Sequence, residues 1–412
     1  MEKVLESFLK ALDRFLFFGY NFDWKLFADM LVYKGKELRR LNTNHTPHHA
    51  KTPSDHESVF CLVMLFLLVF ELILLTVVLV SALTPPALAN PTGDGRETES
   101  ESGTDEPPAD NKVFEGGIVP TRPTGNADTQ TIAGIGSRYA ILVDAKSGTV
   151  IASLGENTRF EPASLTKVMT LIVACEALRM SDMDRKLTLT QEAWDYARAG
   201  AYTEASVAGH DVGDEIKVRD LLYGIGMESA ADCTVMIVQE VAGTEEAFVA
   251  LMNEKAAALG LTDTHFDNAI GHESENNYTT ATEMAMIMSY AMQCELIEEI
   301  LALTQHAFQM WYYKDGVDYT EFRFTYYSTL FRSRMETYQK YANRAFALNT
   351  VRLSAGKTGS FITSSYVVCT ATAKIGGGEY ILVLGEADKP EGKPAGYVTM
   401  CDIKKVFDTY IQ

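Results

Sequence analysis

Apolar residues fall into three patterns along the 412-residue chain, and each predicts a different kind of structure. Over 59–83 the run is continuous apart from Glu71, long enough as one helix to cross a bilayer core of about 30 Å. Ahead of it, Leu5, Phe8, Leu9, Leu12, Phe15 and Leu16 share one helical face. That face suits a helix that binds a partner or lies on a membrane, and equally an extension without order. Between 85 and 131 the apolar runs stop. Seven of the twelve prolines sit there among Gly, Ser, Thr and acidic residues, the composition of an extended, disordered linker.

From 132 to 412 the patterns of a folded domain take over. Strands are predicted at 139–144 and 149–154 around the turn Lys146-Ser147-Gly148, and at 365–374 and 379–384 around Gly376-Gly377-Gly378. Helical spacing marks 165–179, 218–226, 230–241, 246–259 and 282–292, with a last helix at 396–411. Strand-rich ends around a helical middle predict an α+β domain. Its antiparallel sheet is formed by both ends of the domain, with helices packed on it and a helical subdomain, and its site lies where the two meet. The chain therefore divides into a segment 1–57, a transmembrane helix or uncleaved signal anchor 58–84, the linker 85–131 and the folded domain 132–412.

Charge adds a direction to this layout. The net charge of −19 divides into +1 over 1–57, −1 over 58–84, −6 over 85–131 and −13 over 132–412. An acidic body without a basic stripe excludes nucleic acid as the main partner, because phosphate contacts need clustered Lys and Arg. Lys34, Lys36, Arg39, Arg40 and Lys51 precede the span, whereas Asp94, Glu97, Glu99, Glu101, Asp105 and Glu106 follow it. Positive charge stays inside, so residues 59–83 are expected to hold a single-pass protein in the cell membrane with 132–412 on the extracytoplasmic side. Ala87-Leu88-Ala89 has the form of a signal-peptidase site, but the length of the apolar run favours an anchor. Cys61, Cys175, Cys233, Cys294, Cys369 and Cys401 contain no C-x-x-C pair and read as buried thiols. His272-Glu273-Ser274-Glu275-Asn276 begins like a zinc-binding H-E-x-x-H, but Asn276 stands where the second His is required, so no metal is expected.

Two short motifs carry chemistry. Ser164-Leu165-Thr166-Lys167 opens a predicted helix, which puts the amine one turn from the hydroxyl on the same face, close to free backbone N–H groups. Such a lysine can take the serine proton if burial or a neighbouring cation keeps it neutral. Two other S-x-x-K sets, Ser7 with Lys10 and Ser354 with Lys357, show how weak the motif is alone. Lys357-Thr358-Gly359 then stands at the rim of the second hairpin. There a cation and a hydroxyl can hold a carboxylate while the N–H of Ser360 faces a reacting carbonyl.

With these motifs in order, residues 130–412 resemble the penicillin-binding D-alanyl-D-alanine carboxypeptidases, serine-lysine peptidases of the β-lactamase/DD-peptidase fold. The likeness extends through LVDAKSGTVIASLGENTRFEPASLTKVMT, LLYGIGMESAADC, LGLTDTHFDNAIGHESENNYTTATEMA and AGKTGS. The resemblance implies Ser164 as nucleophile, Lys167 as general base and Ser229 as proton relay. It implies Lys357, Thr358 and Gly359 as the carboxylate site, and the N–H groups of Ser164 and Ser360 as oxyanion hole. It further implies no cofactor, peptidoglycan stem pentapeptides as substrate with terminal D-alanine released, and β-lactams as covalent inhibitors. One position departs: where the family's middle motif is S-x-N, this chain has Ser229-Ala230-Ala231.

That departure motivates the alternative of a non-catalytic penicillin-binding sensor or wall-binding module. Glu273 and Asn277, with the E-x-x-x-N spacing of a deacylating loop, motivate a β-lactamase as a less favoured one. The resemblance also implies that 132–412 ends with its last helix, without the further β-rich domain of many relatives. The Tyr- and Phe-rich stretch 305–345 reads as a hairpin packed on its own aromatics or as a glycan or stem-peptide surface, and Arg344 is expected near the carboxylate site.

Overall fold

The computed structural model describes residues 111–198, 205–312, 320–360, 367–387 and 392–411. The segment 1–57, the apolar span 59–83 and residues 85–110 of the linker lie outside the described residues. Among the described residues, no helix is long and apolar enough to cross a membrane.

Three strands come first: β1 (Gln130–Thr131), β2 (Ser137–Asp144) and β3 (Val150–Leu154). A mainly helical region follows, with α1 (Thr166–Ala177), β4 (Lys186–Thr188), α2 (Gln191–Arg198), β5 (Glu215–Lys217), α3 (Val218–Met227) and α4 (Ala231–Ala242). It continues through α5 (Glu245–Ala258), α6 (Ala281–Ala291) and α7 (Glu295–Ala302). Strands β6 (Gln305–Tyr312) and β7 (Thr320–Tyr327) lead through a π-helical turn, Thr329–Arg334, into α8 (Met335–Ala342). Last come β8 (Arg352–Ser360), β9 (Val367–Ile375), β10 (Gly378–Ala387) and α9 (Ala395–Tyr410).

Both ends of the domain share a six-stranded sheet in the order β1-β3-β2-β10-β9-β8. The ends meet where β10 runs antiparallel to β2, with Leu382 opposite Leu142 and Val383 opposite Ile141. Ala140, Ile141, Leu142 and Val143 are all buried, so β2 reads as a solid apolar run and not as an alternation. Helices on both faces of the sheet explain this. Ile141, Val143, Ile381 and Val383 join the larger core, which includes α1 and α6. Leu142, Leu382 and Leu384 pack with Met400, Ile403 and Phe407 of α9 on the other face. Helix α1 is buried from Thr166 to Cys175, so Thr166, Lys167 and Thr170 lie inside the protein.

Residues 111–131, expected as linker, instead run along the domain. Val113 and Phe114 donate backbone hydrogen bonds to the carbonyls of Leu178 and Cys175, and β1 pairs in parallel with β3. Phe114 is buried in the core, and Arg122 donates at 2.9 Å to the fully buried Glu283. The apolar pair and the arginine supply partners that the proline-rich composition concealed.

The aromatic-rich stretch forms the β6–β7 hairpin of a second sheet, β4-β5-β6-β7, which the strand pattern did not reveal. The Phe308 ring lies 5.8 Å from Phe324 and 4.7 Å from Tyr326 between centroids, so the hairpin packs on its own rings. Cys175, Cys233, Cys294 and Cys401 are free thiols, the first three buried.

Candidate active site

Ser164 sits in a short 3-10 turn, Ala163–Leu165, that runs into α1. Ala163 has a φ of 49°, a left-handed conformation that a residue with a Cβ seldom adopts. The loop 268–272 crosses against this turn. Gly271, at a φ of 79°, is required there because a Cβ would overlap the Ala163 carbonyl. Asn268 fixes the loop by accepting from the N–H groups of Gly271 and His272 at 2.7 and 2.8 Å.

This crossing gives Lys167 its surroundings. The side chain is 1% exposed, and its Nζ donates to Ser164 Oγ at 3.2 Å and to the Ile270 carbonyl at 2.5 Å. Burial lowers the pKa of Lys167 from its ordinary 10.5 to about 7, against the buried Asp232 carboxylate, which raises it. An amine with a substantial neutral fraction near pH 7, within hydrogen-bond reach of a hydroxyl, can accept the hydroxyl proton.

A second serine-lysine pair comes from distant parts of the chain. Ser229 lies between α3 and α4 with a φ of 59°, and Lys357 is fully buried in β8. Lys357 Nζ donates to Ser229 Oγ at 2.9 Å and to the Thr358 carbonyl at 2.8 Å. Strand β8 is the outer strand of the sheet and packs against the Ala163–Leu165 turn, so one backbone edge faces the helical region. Gly359 is buried and Ser360, at the end of β8, is exposed. The fold thus brings together Ser164 with Lys167, and Ser229 with Lys357 and Thr358.

Sequence reasoning missed the loop carbonyl of Ile270 and the residues Asn268 and Gly271 that present it. The only signal was the Asn268-Ala269-Ile270-Gly271 stretch, whose role appears once it crosses α1. Ala231 is fully buried with its N–H on the Ser206 carbonyl. Next to it, Asp232 accepts from the Ala208 N–H at 3.0 Å.

Asn277 donates to Thr166 Oγ1 at 3.3 Å, inside the Ser-Leu-Thr-Lys motif, while its Oδ1 is buried without a partner. Near Ser164, burial raises the Glu161 pKa, with further contributions from Glu273, Glu386 and Glu275. Ser274 and Asn276 lie in an exposed loop. Arg344 donates to the Tyr338 hydroxyl at 3.3 Å.

A family model described as D-alanyl-D-alanine carboxypeptidase matches residues 126–388. The chain is similar to D-alanyl-D-alanine carboxypeptidase DacF of Bacillus subtilis, 30% identical over 278 residues, which are 65% of this chain and 61% of that protein. It is also similar to DacC of Escherichia coli, 35% identical over 172 residues, or 40% of this chain and 42% of that one. It thus spans less than two thirds of the length of these relatives. Among solved structures, the Streptomyces K15 DD-transpeptidase superposes with a TM-score of 0.55 at 22% identity, covering 67% of this chain and 98% of that chain. A D-alanyl-D-alanine carboxypeptidase of Mycobacterium tuberculosis gives 0.53 at 22% identity, covering 69% and 94%. The structural likenesses establish the fold.

Proposed function

The chain belongs to the D-alanyl-D-alanine carboxypeptidase family, and we propose that it removes the terminal D-alanine from peptidoglycan stem pentapeptides through an acyl-enzyme on Ser164. Ser164 Oγ attacks the carbonyl carbon of the penultimate D-alanine as its proton passes to neutral Lys167. The N–H groups of Ser164 and Ser360 take the oxyanion. Lys357 and Thr358, beside Gly359, hold the substrate's terminal carboxylate. Ser229, which accepts a hydrogen bond from Lys357, is the relay: it gives its proton to the departing D-alanine amine and takes back the one that Lys167 received from Ser164. Water then hydrolyses the ester, and β-lactams would occupy Ser164 covalently by the same attack.

The observation that carries this reading is Lys167, fully enclosed, with an amine that titrates near 7 and lies 3.2 Å from Ser164 Oγ. The test is D-alanine release from a pentapeptide ending in D-Ala-D-Ala, with wild type beside Ser164→Ala. Release by wild type alone supports the reading; equal release by both overturns the mechanism. Release by neither favours the sensor, for which buried Ala231, bringing no amide to the site, is the motivating observation. The hydropathy of 59–83 and the charge asymmetry around it support a membrane-held enzyme with an extracytoplasmic site. Extraction of the full chain by alkaline carbonate would contradict that placement.

A further inference from the structure

The end of β7 and the turn after it touch both sides of the proposed site. The N–H of Tyr327 donates to Glu228 Oε1 at 2.6 Å, and Glu228 is the neighbour of Ser229. Two residues later the Thr329 hydroxyl lies 2.8 Å from Thr358 Oγ1, and Thr358 is the neighbour of Lys357. Ser328 between them is buried and caps the π-helical turn by accepting from the Phe331 N–H at 3.1 Å. Residues 327–329 therefore strap the Ser229 corner to the end of β8, and Thr329 is the member that meets a group expected to touch substrate.

Each threonine hydroxyl has one proton to give. Without a ligand, Thr358 donates to Thr329, which turns its proton away from the site. The oxygen separation serves equally well with the direction reversed, because hydroxyl protons rotate to suit their partners. When a carboxylate arrives, Thr358 turns its own proton to it, and the Thr329 hydroxyl, 2.8 Å away, can then donate to the Thr358 oxygen. The two hydroxyls then form a chain whose second bond polarises the first.

We propose that Thr329 is a positioning residue for the terminal carboxylate of the substrate, acting through Thr358 and so selecting free-acid over carboxyl-blocked peptides. This inference rests on the carboxypeptidase reading. It assigns the aromatic hairpin a task beyond packing: delivering the π-helical turn, and with it Thr329, to β8.

The test compares a D-Ala-D-Ala pentapeptide with its C-terminal carboxamide, using wild type, Thr329→Val, Thr329→Ala and Thr329→Ser. Loss of one hydrogen bond in the chain is expected to raise KM for the free acid about fivefold with little change in kcat. The carboxamide should be unaffected, so the preference for the free acid falls by the same factor. Thr329→Ser, which keeps the hydroxyl, is expected to restore the preference. Thr329→Ala serves if the valine variant does not fold. Equal losses on acid and amide, or unchanged discrimination, would overturn the proposal while leaving the carboxypeptidase reading intact.

If wild type releases no D-alanine, that reading fails by itself. Thr329 is then read from Ser164 acylation by benzylpenicillin against its methyl ester, where the same loss of preference is expected. A wild type that neither releases D-alanine nor is acylated overturns both.

Discussion

The site holds two serine-lysine pairs, each with a buried lysine, and they differ in how the chain makes them. Ser164 and Lys167 are three residues apart in one turn, so local helix geometry alone brings them together. Ser229 and Lys357 are 128 residues apart and meet at 2.9 Å only because β8 packs beside the junction of α3 and α4. Each lysine also donates to a carbonyl, but Lys167 reaches across to the loop at Ile270 whereas Lys357 reaches its own neighbour Thr358. The local pair therefore depends on a distant loop for its chemistry, and the distant pair depends on a strand for its position. Proximity in sequence yields a pair; enclosure decides what the pair can do.

Exchanging each lysine for an isosteric apolar residue separates these roles most sharply. Lys167→Met should abolish acylation of Ser164, a loss of at least about a thousandfold in kcat/KM, because among the described residues Lys167 is the base that touches the hydroxyl. The same variant should melt higher than wild type, by a margin that grows as pH falls from 10.5 towards about 7 and is constant below it, since the unfolded lysine binds a proton that the buried amine resists. Lys357→Met should cost less, about a hundredfold, expressed mainly in KM for substrates with a free carboxylate. Steady-state kinetics with melting curves check both. Equal losses with equal KM values would erase the distinction.

A smaller effect is expected at the loop that encloses the first pair. Gly271→Ala combines a positive φ with overlap on the Ala163 carbonyl, and should cost about 2 kcal/mol or more in denaturant unfolding. Its activity should fall with kcat, because the Ile270 carbonyl moves away from Lys167. The smallest change is a shift without a loss. Asp232 raises the pKa of Lys167, so Asp232→Asn should move the acid limb of the pH–rate profile to lower pH while the maximum rate stays near wild type. A limb that moves upward would show that Asp232 acts by another route.

Much of the fold was legible because its elements carry strong local patterns. The helix over 165–179 is α1 trimmed by a residue or two, and the hairpins around Lys146-Ser147-Gly148 and Gly376-Gly377-Gly378 stand where turn chemistry put them. The β6–β7 hairpin was expected to pack on its own aromatics and does; its place in a second sheet escaped because the link to β5 joins Glu215 and Trp311, far apart in the chain. Docking of 111–131 escaped because Phe114 and Arg122 find their partners at Cys175 and Glu283, far along the chain. The motif residues were readable as types at fixed spacing. What was not readable is the enclosure of Lys167 by Ile270 and Gly271, a product of tertiary crossing that leaves no local pattern.

The pH dependence of Ser164 acylation tests most directly whether burial makes Lys167 the base. The folded pKa is lowered to about 7 from 10.5, so below it the amine is protonated and cannot accept the serine proton; above it the amine is free. The rate of acyl-enzyme formation with a β-lactam, followed by intact mass, should therefore rise with pH through a single deprotonation with a midpoint of about 7 and reach a plateau on the alkaline side. A rate that is flat across this range, or that rises only as an ordinary exposed lysine titrates, would contradict it.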